Sequence, residues 1–268
     1  MLNISDINSP KISVPYRNAA AYSVGRLPYP EKMFTWIRDN IGVDKPILDL
    51  GCGNGRATFP LRKLCSTNVT GYDFDQTMLD EAAARLEQES LKITFIKGVV
   101  KDLTQEKQGI FSAACAFTAF SHFADSESIK AIRGVLDPDK GLFIVGGSGG
   151  SASGHGIAVY MRQMAEKATG VVIPNGHDGK GDSRPNDVET LEKNGFKLAD
   201  SLEVLNEETY SYEEVLANFA SRLAWKKNLN DEQRDATTKA VEEHFKTLKD
   251  GKLSFEVKYS CKIFKPVS

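Results

Sequence analysis

Apolar and polar positions alternate along this chain in blocks that switch between a strand period and a helix period. From Pro30, a residue suited to a first helical turn, Met33, Phe34, Trp36, Ile37 and Ile41 keep rough helical spacing until Gly42. "PILDL" at 46–50 then reads as a short buried strand. "RATFPLRKLC" reads as a helix, with Pro60 forced into its first turn or kinking it. "NVTGYDFD" predicts a second strand, and "QTMLDEAAARLEQES" a helix with Asp75 as its N-cap. "KITFIKGVV" and "GIFSAACAF" predict strands three and four. "SESIKAIRGVL" predicts a helix, and "DPDKGLFIVGGS" a turn leading into a fifth strand.

Strands alternating with helices at this spacing require crossover connections, and so an α/β chain with a largely parallel sheet. Further on, Asn186 to Glu189 is a capping box opening a helix that Gly195 stops. "FKLADSLEV" and "SFEVKYSCKIF" predict two late strands paired at one sheet edge. Two segments stand outside the alternation. Residues 149–185 are rich in Gly, Ser and Asn around one helix at "IAVYMRQMAEKA". Residues 207–250 hold two helices with capping boxes, Ser211 with Glu214 and Asn230 with Gln233. Chain that leaves a sheet beyond its strands often forms a lid, which is the role expected of both. Their stripes, Val215, Leu216, Phe219 and Leu223 on one side and Ala236, Ala240, Val241 and Phe245 on the other, read as core. Trp225 is less determined, as a lining of a pocket or a dimer contact.

Composition narrows the picture without directing it. With 268 residues, 41% hydrophobic and 26% charged, the chain is ordinary globular material, and its net charge of −2 points to neither nucleic acid nor an anionic membrane. The first residues, to about Pro15, read as a loose polar arm with no signal peptide. No apolar run has the length of a membrane span. Cys52, Cys65, Cys115 and Cys261 show no metal-ligand spacing and fit reduced thiols of a cytoplasmic protein.

The chemistry concentrates in "LDLGCGNGRAT", residues 48–58. A glycine loop between a first strand and its helix lies at the carboxyl edge of the sheet, where ligands of open α/β sheets bind. Gly51, Gly53 and Gly55 are not spaced as G-x-G-x-x-G, because Arg56 stands where a dinucleotide loop has its third glycine, and no Gly-Lys-Ser/Thr of a P-loop follows. Asp49, two residues upstream, repels a pyrophosphate and suits a ligand carrying an ammonium group. Asp73, about 20 residues past the loop, is an acid where ribose recognition needs one.

At these residues the chain resembles the class I S-adenosylmethionine-dependent methyltransferases. "LDLGCGNG" resembles their first motif, "GYDFDQTMLDEAAAR" the second-strand motif, "FSAACAFTAFSHFAD" the fourth strand and its loop, and "VLDPDKGLFIVG" the turn and fifth strand. "YSVGRLPYP" resembles the entry segment of small-molecule methyltransferases of the type 11 and trans-aconitate groups. The resemblance implies a Rossmann-like, doubly wound, mainly parallel sheet of about seven strands with the last antiparallel, plus helical lid insertions. It implies one methyltransferase domain over 1–268: an entry segment at 1–29, a cofactor-binding core at 30–148, and acceptor insertions at 149–185 and 207–250. It further implies S-adenosyl-L-methionine as cofactor and S-adenosyl-L-homocysteine as product. Tyr22, Arg26, Asp49, Gly51, Cys52, Gly53, Asn54, Gly55, Asp73, Phe74, Met78, Val99, Val100, Phe117 and Thr118 are its expected cofactor-binding residues. Asp73 takes the ribose hydroxyls, and Arg26 clamps the methionine carboxylate or gates the site. His122 is the tentative catalytic residue, with a capping or packing role as its plainer reading. In one departure from the pattern, Val99 stands where the family has the acid that binds the adenine amino group; backbone groups of Val99 and Val100, or Asp102, are left to meet that edge.

The acceptor is read by exclusion. The fourth strand is followed by "AFTAF", not the Asn/Asp-Pro-Pro-Tyr/Phe of amino-group methylation. Cys115 lacks a preceding proline and reads as core. "GGSGGSASGHG" has no acid cluster for metal-assisted chemistry. A small-molecule acceptor remains, with no metal, nucleic acid or membrane partner, and a monomer or homodimer. The accepting atom is open. An anionic acceptor wants cations: Arg26, Arg162, Arg184 and Arg222 are the candidates, although each except Arg26 reads singly as solvated surface charge. The alternative from another class is a non-catalytic S-adenosylmethionine-binding or regulatory protein.

Overall fold

The computed structural model describes residues 19–148, 156–174 and 186–267. The polar arm before Pro15 and Arg184 lie outside the described residues. In chain order the elements are helices α1 (Ala19–Gly25) and α2 (Glu31–Ile41), strand β1 (Ile47–Leu50), α3 (Thr58–Leu64), β2 (Val69–Asp73), α4 (Gln76–Glu87) and β3 (Thr94–Lys97). They continue through α5 (Gln105–Gln108), β4 (Ala113–Phe117), α6 (Ser126–Val135), β5 (Leu142–Ser148), α7 (Ile157–Thr169) and α8 (Asp187–Lys193). The last are β6 (Phe196–Tyr210), α9 (Tyr212–Ala220), α10 (Leu223–Asn228), α11 (Asp231–Thr247) and β7 (Leu253–Pro266).

The seven strands form one sheet in the order β3-β2-β1-β4-β5-β7-β6. β1 pairs parallel with β2 and β4, β2 with β3, and β4 with β5, whereas β7 runs antiparallel to β5. This is the doubly wound Rossmann-like sheet expected. The order reverses at β1, with β2 on one side and β4 on the other, which makes the carboxyl ends of β1 and β4 the topological switch point. β7 comes between β5 and β6, so the two late strands do occupy one edge.

Burial explains why the central strands lack alternation. Every residue of β1, β2 and β4 is buried, because helices cover both faces of a parallel sheet. Leu48 and Leu50 join one core cluster with Ala114, Ala116, Phe143 and Phe264. Period-two geometry turns Ile47 and Asp49 to the opposite face. Each fully buried Leu, Ile or Phe contributes about 1.5–3 kcal/mol, so β1 is firmly anchored although one of its four residues is an acid.

Local chemistry sets the helix ends. Pro60 is the third residue of α3, inside the first turn, where its missing N–H costs no helical bond. Asp75 caps α4, accepting from the Thr77 N–H, and the boxes at Ser211 and Asn230 are both reciprocal. At α8 half of the expected box forms: Asn186 accepts from Val188 and Glu189, while the Glu189 carboxylate pairs with Lys193 at 2.6 Å. The segment 207–250 holds three helices among the described residues, not two, because α10 forms between the capped pair.

Two compact units divide the chain. One comprises residues up to 27, 149–184 and 205–257; the other comprises 28–148, 185–204 and 258–268. The first has its own core of α7, α9, α10 and α11 side chains, among them Tyr160, Met161, Val215, Phe219, Val241 and Phe245. Trp225 belongs to this core: it is 4% exposed, with its ring 5.2 Å from that of Phe219. That burial removes it from the pocket or dimer surface considered from the sequence.

Candidate active site

The loop after β1 needs glycine for conformational and packing reasons together. Gly51, Gly53 and Gly55 have φ of 64°, 54° and 80°, the left-handed region that disfavours side chains. A Cβ on Gly51 would lie 2.6 Å from the Ala119 Cβ, and one on Gly55 2.5 Å from the Phe59 ring. Gly53 packs against Met78, buried on α4. The loop is tied to β2 throughout. Gly51 and Cys52 N–H groups both donate to the Tyr72 carbonyl, at 2.8 and 3.2 Å, and the Gly53 N–H donates to Asp73 Oδ2 at 2.7 Å.

Asp73 ends β2 and is 6% exposed. Its second oxygen, Oδ1, accepts from the Asp75 N–H at 2.9 Å. Each carboxylate oxygen thus takes one backbone donor and keeps one lone pair. The two acids divide the work: Asp75 caps α4 and Asp73 fastens the glycine loop. Phe74, directly after Asp73, is 55% exposed, and Val99, beyond the end of β3, is 47% exposed. An acid beside large exposed apolar side chains at neighbouring strand ends offers hydrogen bonds to hydroxyls next to apolar contact for a flat ring.

Asp49 lies beneath the loop, 1% exposed, with Thr58 Oγ1 donating to its Oδ2 at 2.6 Å. Burial pushes its pKa up to about 7; the Thr58 hydrogen bond opposes this, and the Asp73 charge adds to it. A group held at that point gains by meeting a cation. Cys52, also buried, has its thiol pushed well above the usual range by burial and the two nearby carboxylates, which makes it a packing residue and no nucleophile. Asn54 is buried in the same loop.

At the end of β4, Thr118 has φ of 57°. That is an uncommon conformation for a β-branched residue, of the kind that gathers at functional sites. Its N–H donates to the Gly146 carbonyl at 2.7 Å, and its hydroxyl bonds the Tyr29 hydroxyl at 2.9 Å. A Cβ on Gly147 would come within 2.8 Å of that threonine oxygen, so the glycine leaves it room. The Arg56 guanidinium lies over the Tyr29 ring at 3.8 Å. Tyr29, Arg56 and Thr58 were not among the residues expected from the sequence; the only signal for Tyr29 was its place in "YSVGRLPYP".

Other expected residues fall differently. Phe117 is buried, its ring packed on those of Tyr29 and Phe34 at 5.2 and 5.5 Å. The Val99 carbonyl accepts from Tyr72 Oη at 3.3 Å and from the Asp102 N–H at 2.9 Å. Both its lone pairs are engaged, which removes it as an acceptor for an adenine amino group. Val100 is buried and opens a short 3₁₀ turn. His122 is exposed at the end of another such turn, so it does not fill the packing role. Tyr22 and Arg26 lie in the other compact unit, with the Arg26 guanidinium 5.3 Å from the Tyr22 ring centroid. Arg162 and Arg222 are half-buried there, not solvated surface charges, and burial lowers the pKa of both.

The four cysteines are free and buried. Among the described residues no group of three His, Cys, Asp or Glu is set to hold a metal, and no helix is long and apolar enough to cross a membrane.

Residues 47–139 match the family model described as a methyltransferase domain, and the strand order, the glycine loop and the acid ending β2 lie within that stretch or frame it. Among individual proteins, the chain is similar to the ubiquinone biosynthesis O-methyltransferase of Nitrosococcus oceani, 29% identical over 156 residues, 58% of this chain and 64% of that one. It is also similar to the ribosomal protein L11 methyltransferase of Methylobacillus flagellatus, 28% identical over 75 residues, covering 28% of this chain and 25% of that one. These matches span from a quarter to just under two thirds of the relatives' lengths. A solved structure described as a type II methyltransferase, from Anaeromyxobacter dehalogenans, superposes with a TM-score of 0.58 at 16% identity. It covers 89% of this chain and 96% of its own, a likeness of fold.

Proposed function

We propose that this chain binds S-adenosyl-L-methionine at the carboxyl ends of β1 and β2 and transfers its methyl group to a small-molecule acceptor by in-line displacement, releasing S-adenosyl-L-homocysteine. The observation that carries this is Asp73, whose Oδ2 fastens the glycine loop through the Gly53 N–H and whose Oδ1 accepts from the Asp75 N–H, leaving one lone pair of each oxygen for vicinal ribose hydroxyls. The donor set fits the cofactor and disfavours a phosphate: two carboxylates, Asp49 and Asp73, stand at the loop. Phe74 and Val99 supply apolar surface for adenine, and Asp49 supplies charge for an ammonium group.

When bound, the cofactor supplies a sulfonium methyl that is already activated for displacement. What the protein adds is position. The loop fixes one end of the ligand, and the ordered hydroxyls of Thr118 and Tyr29 border the end of β4, at the switch point where an acceptor is expected. Alignment of this kind can supply several orders of magnitude in rate without a dedicated base. The longer of the two sequence matches cited, to an enzyme of ubiquinone biosynthesis, favours a small molecule over a macromolecule as acceptor. Titration calorimetry tests the reading: saturable heat with S-adenosylmethionine and none with NADH is expected. Binding of NADH with no response to S-adenosylmethionine refutes it.

A further inference from the structure

Tyr29 is a rigidly held polar group beside the end of β4. It is 6% exposed, and its ring meets those of Phe34, Phe117 and Tyr259 at 6.4, 5.2 and 6.0 Å, with the Arg56 guanidinium over its face at 3.8 Å. All five residues belong to the unit comprising 28–148, 185–204 and 258–268. A ring packed on several sides has little freedom to turn, so its hydroxyl points one way. That hydroxyl bonds Thr118 Oγ1 at 2.9 Å.

Thr118 is the opposite case, exposed and with φ of 57°. Left-handed backbone is unfavourable for a β-branched residue and persists where the surroundings over-determine it. Two contacts do so here. The Thr118 N–H donates to the Gly146 carbonyl at 2.7 Å, which fixes the backbone, and the Tyr29 hydroxyl fixes the side-chain oxygen. Gly147 leaves that oxygen its space, since a Cβ there would lie 2.8 Å from it. The next residue, Ala119, touches the glycine loop: a Cβ on Gly51 would lie 2.6 Å from the Ala119 Cβ. With β4 running beside β1, the exposed threonine stands next to the loop that seats the amino-acid end of the cofactor in the reading above. In S-adenosylmethionine the sulfonium links that end to the ribose. A ligand held by the loop and by Asp73 therefore presents its methyl group near the ends of β1 and β4.

We propose that Tyr29 is a positioning residue for methyl transfer and acts through Thr118: its hydroxyl holds Thr118 Oγ1 toward the sulfonium methyl of the bound cofactor. The hydrogens of a sulfonium methyl carry partial positive charge, and an oxygen set against them orients the methyl through weak C–H···O contacts. Fixing that oxygen in advance aligns the methyl before transfer. The proposal rests on the S-adenosylmethionine reading above and extends it to a residue of "RLPYP", outside the glycine loop and its two acids.

The test is a proton–carbon NMR spectrum of the full chain with S-adenosylmethionine enriched in the NMR-active carbon isotope at its methyl group. In the wild type the bound methyl proton resonance lies downfield of its position in Thr118→Val, which lacks the oxygen. Tyr29→Phe keeps the ring and removes the hydroxyl, and it moves the resonance upfield, part or all of the way to the Thr118→Val position. Both variants bind S-adenosylhomocysteine within twofold of wild type in calorimetry. Ser211→Ala, which weakens a helix cap in the other unit, leaves the resonance where the wild type has it. If Tyr29→Phe does not fold, Gly147→Ala, whose Cβ crowds the same oxygen, takes its place. A Thr118→Val resonance identical to wild type overturns the role of the oxygen. A wild-type position in Tyr29→Phe, or an equal displacement in Ser211→Ala, overturns the role of Tyr29. A Tyr29→Phe protein that loses S-adenosylhomocysteine affinity also overturns it, because the residue then serves binding. A wild type with no bound methyl resonance and no heat with S-adenosylhomocysteine removes the cofactor reading itself, and this proposal with it.

Discussion

Replacing Asp49 by Asn should stabilise the ligand-free protein while damaging its site. Asp49 is 1% exposed, and its pKa is pushed from 3.8 up to about 7, chiefly by burial. Between those values the folded chain keeps a proton that the unfolded chain has released. Stability from this group therefore falls as pH rises from about 4 to 7, and the cost is complete above 7. The shift is roughly three units, and at 1.36 kcal/mol per unit the ceiling is about 4 kcal/mol. Relaxation and water penetration bring the expected value nearer about 2 kcal/mol. Asparagine keeps an oxygen for the Thr58 hydroxyl, which donates at 2.6 Å, so the local hydrogen bond survives. Urea unfolding of wild type and Asp49→Asn from pH 5 to 9 reads the effect. The variant should gain about 2 kcal/mol on the wild type by pH 8 and much less at pH 5. S-adenosylhomocysteine affinity should meanwhile fall at least about tenfold, since an ion pair to the ligand's ammonium is lost. Parallel pH curves, or a variant less stable at pH 8, would show that Asp49 is not held near neutrality by burial.

Asp73→Ala leaves the Gly53 and Asp75 N–H groups without their acceptor, so it should cost about 1–3 kcal/mol in urea unfolding and reduce S-adenosylhomocysteine affinity at least about tenfold in calorimetry. Gly55→Ala places a Cβ 2.5 Å from the Phe59 ring at φ 80°, and thermal unfolding should show a loss of about 1–3 kcal/mol. Tyr29→Phe removes the bond to the Thr118 hydroxyl; stability should fall by about 1 kcal/mol, with cofactor affinity unchanged in calorimetry. Ser211→Ala dismantles a complete capping box and should lower stability by about 1 kcal/mol without touching cofactor binding.

What could be read from the sequence was what local chemistry decides. The runs that became β1 and β4 are largely apolar because both faces are covered, and that pattern needs no knowledge of the partner strands. Asp75 and Ser211 announce helix starts because a cap acts within three residues. The glycine spacing and the two acids, Asp49 and Asp73, pointed to the loop's ligand class because side-chain charge and chain flexibility are properties of the residues themselves. Burial set by distant elements could not be read. Arg222 reads as a surface charge until Asn218 and the α1 backbone are seen to hold it. Trp225 falls in the core only because α10 packs it beside Phe219. The Val99 carbonyl is consumed by Tyr72, 27 residues away, and the Thr118 hydroxyl by Tyr29, 89 residues away.

The central claim is that the loop at 51–55 seats the amino-acid end of S-adenosylmethionine, with the ribose on Asp73. A crystal structure of the chain with S-adenosylhomocysteine tests it most directly. The account predicts both ribose hydroxyls on the Asp73 carboxylate, adenine against Phe74 and Val99, and the ammonium group on the Asp49 side of the loop. A ligand bound elsewhere, or with its ribose away from Asp73, would contradict it.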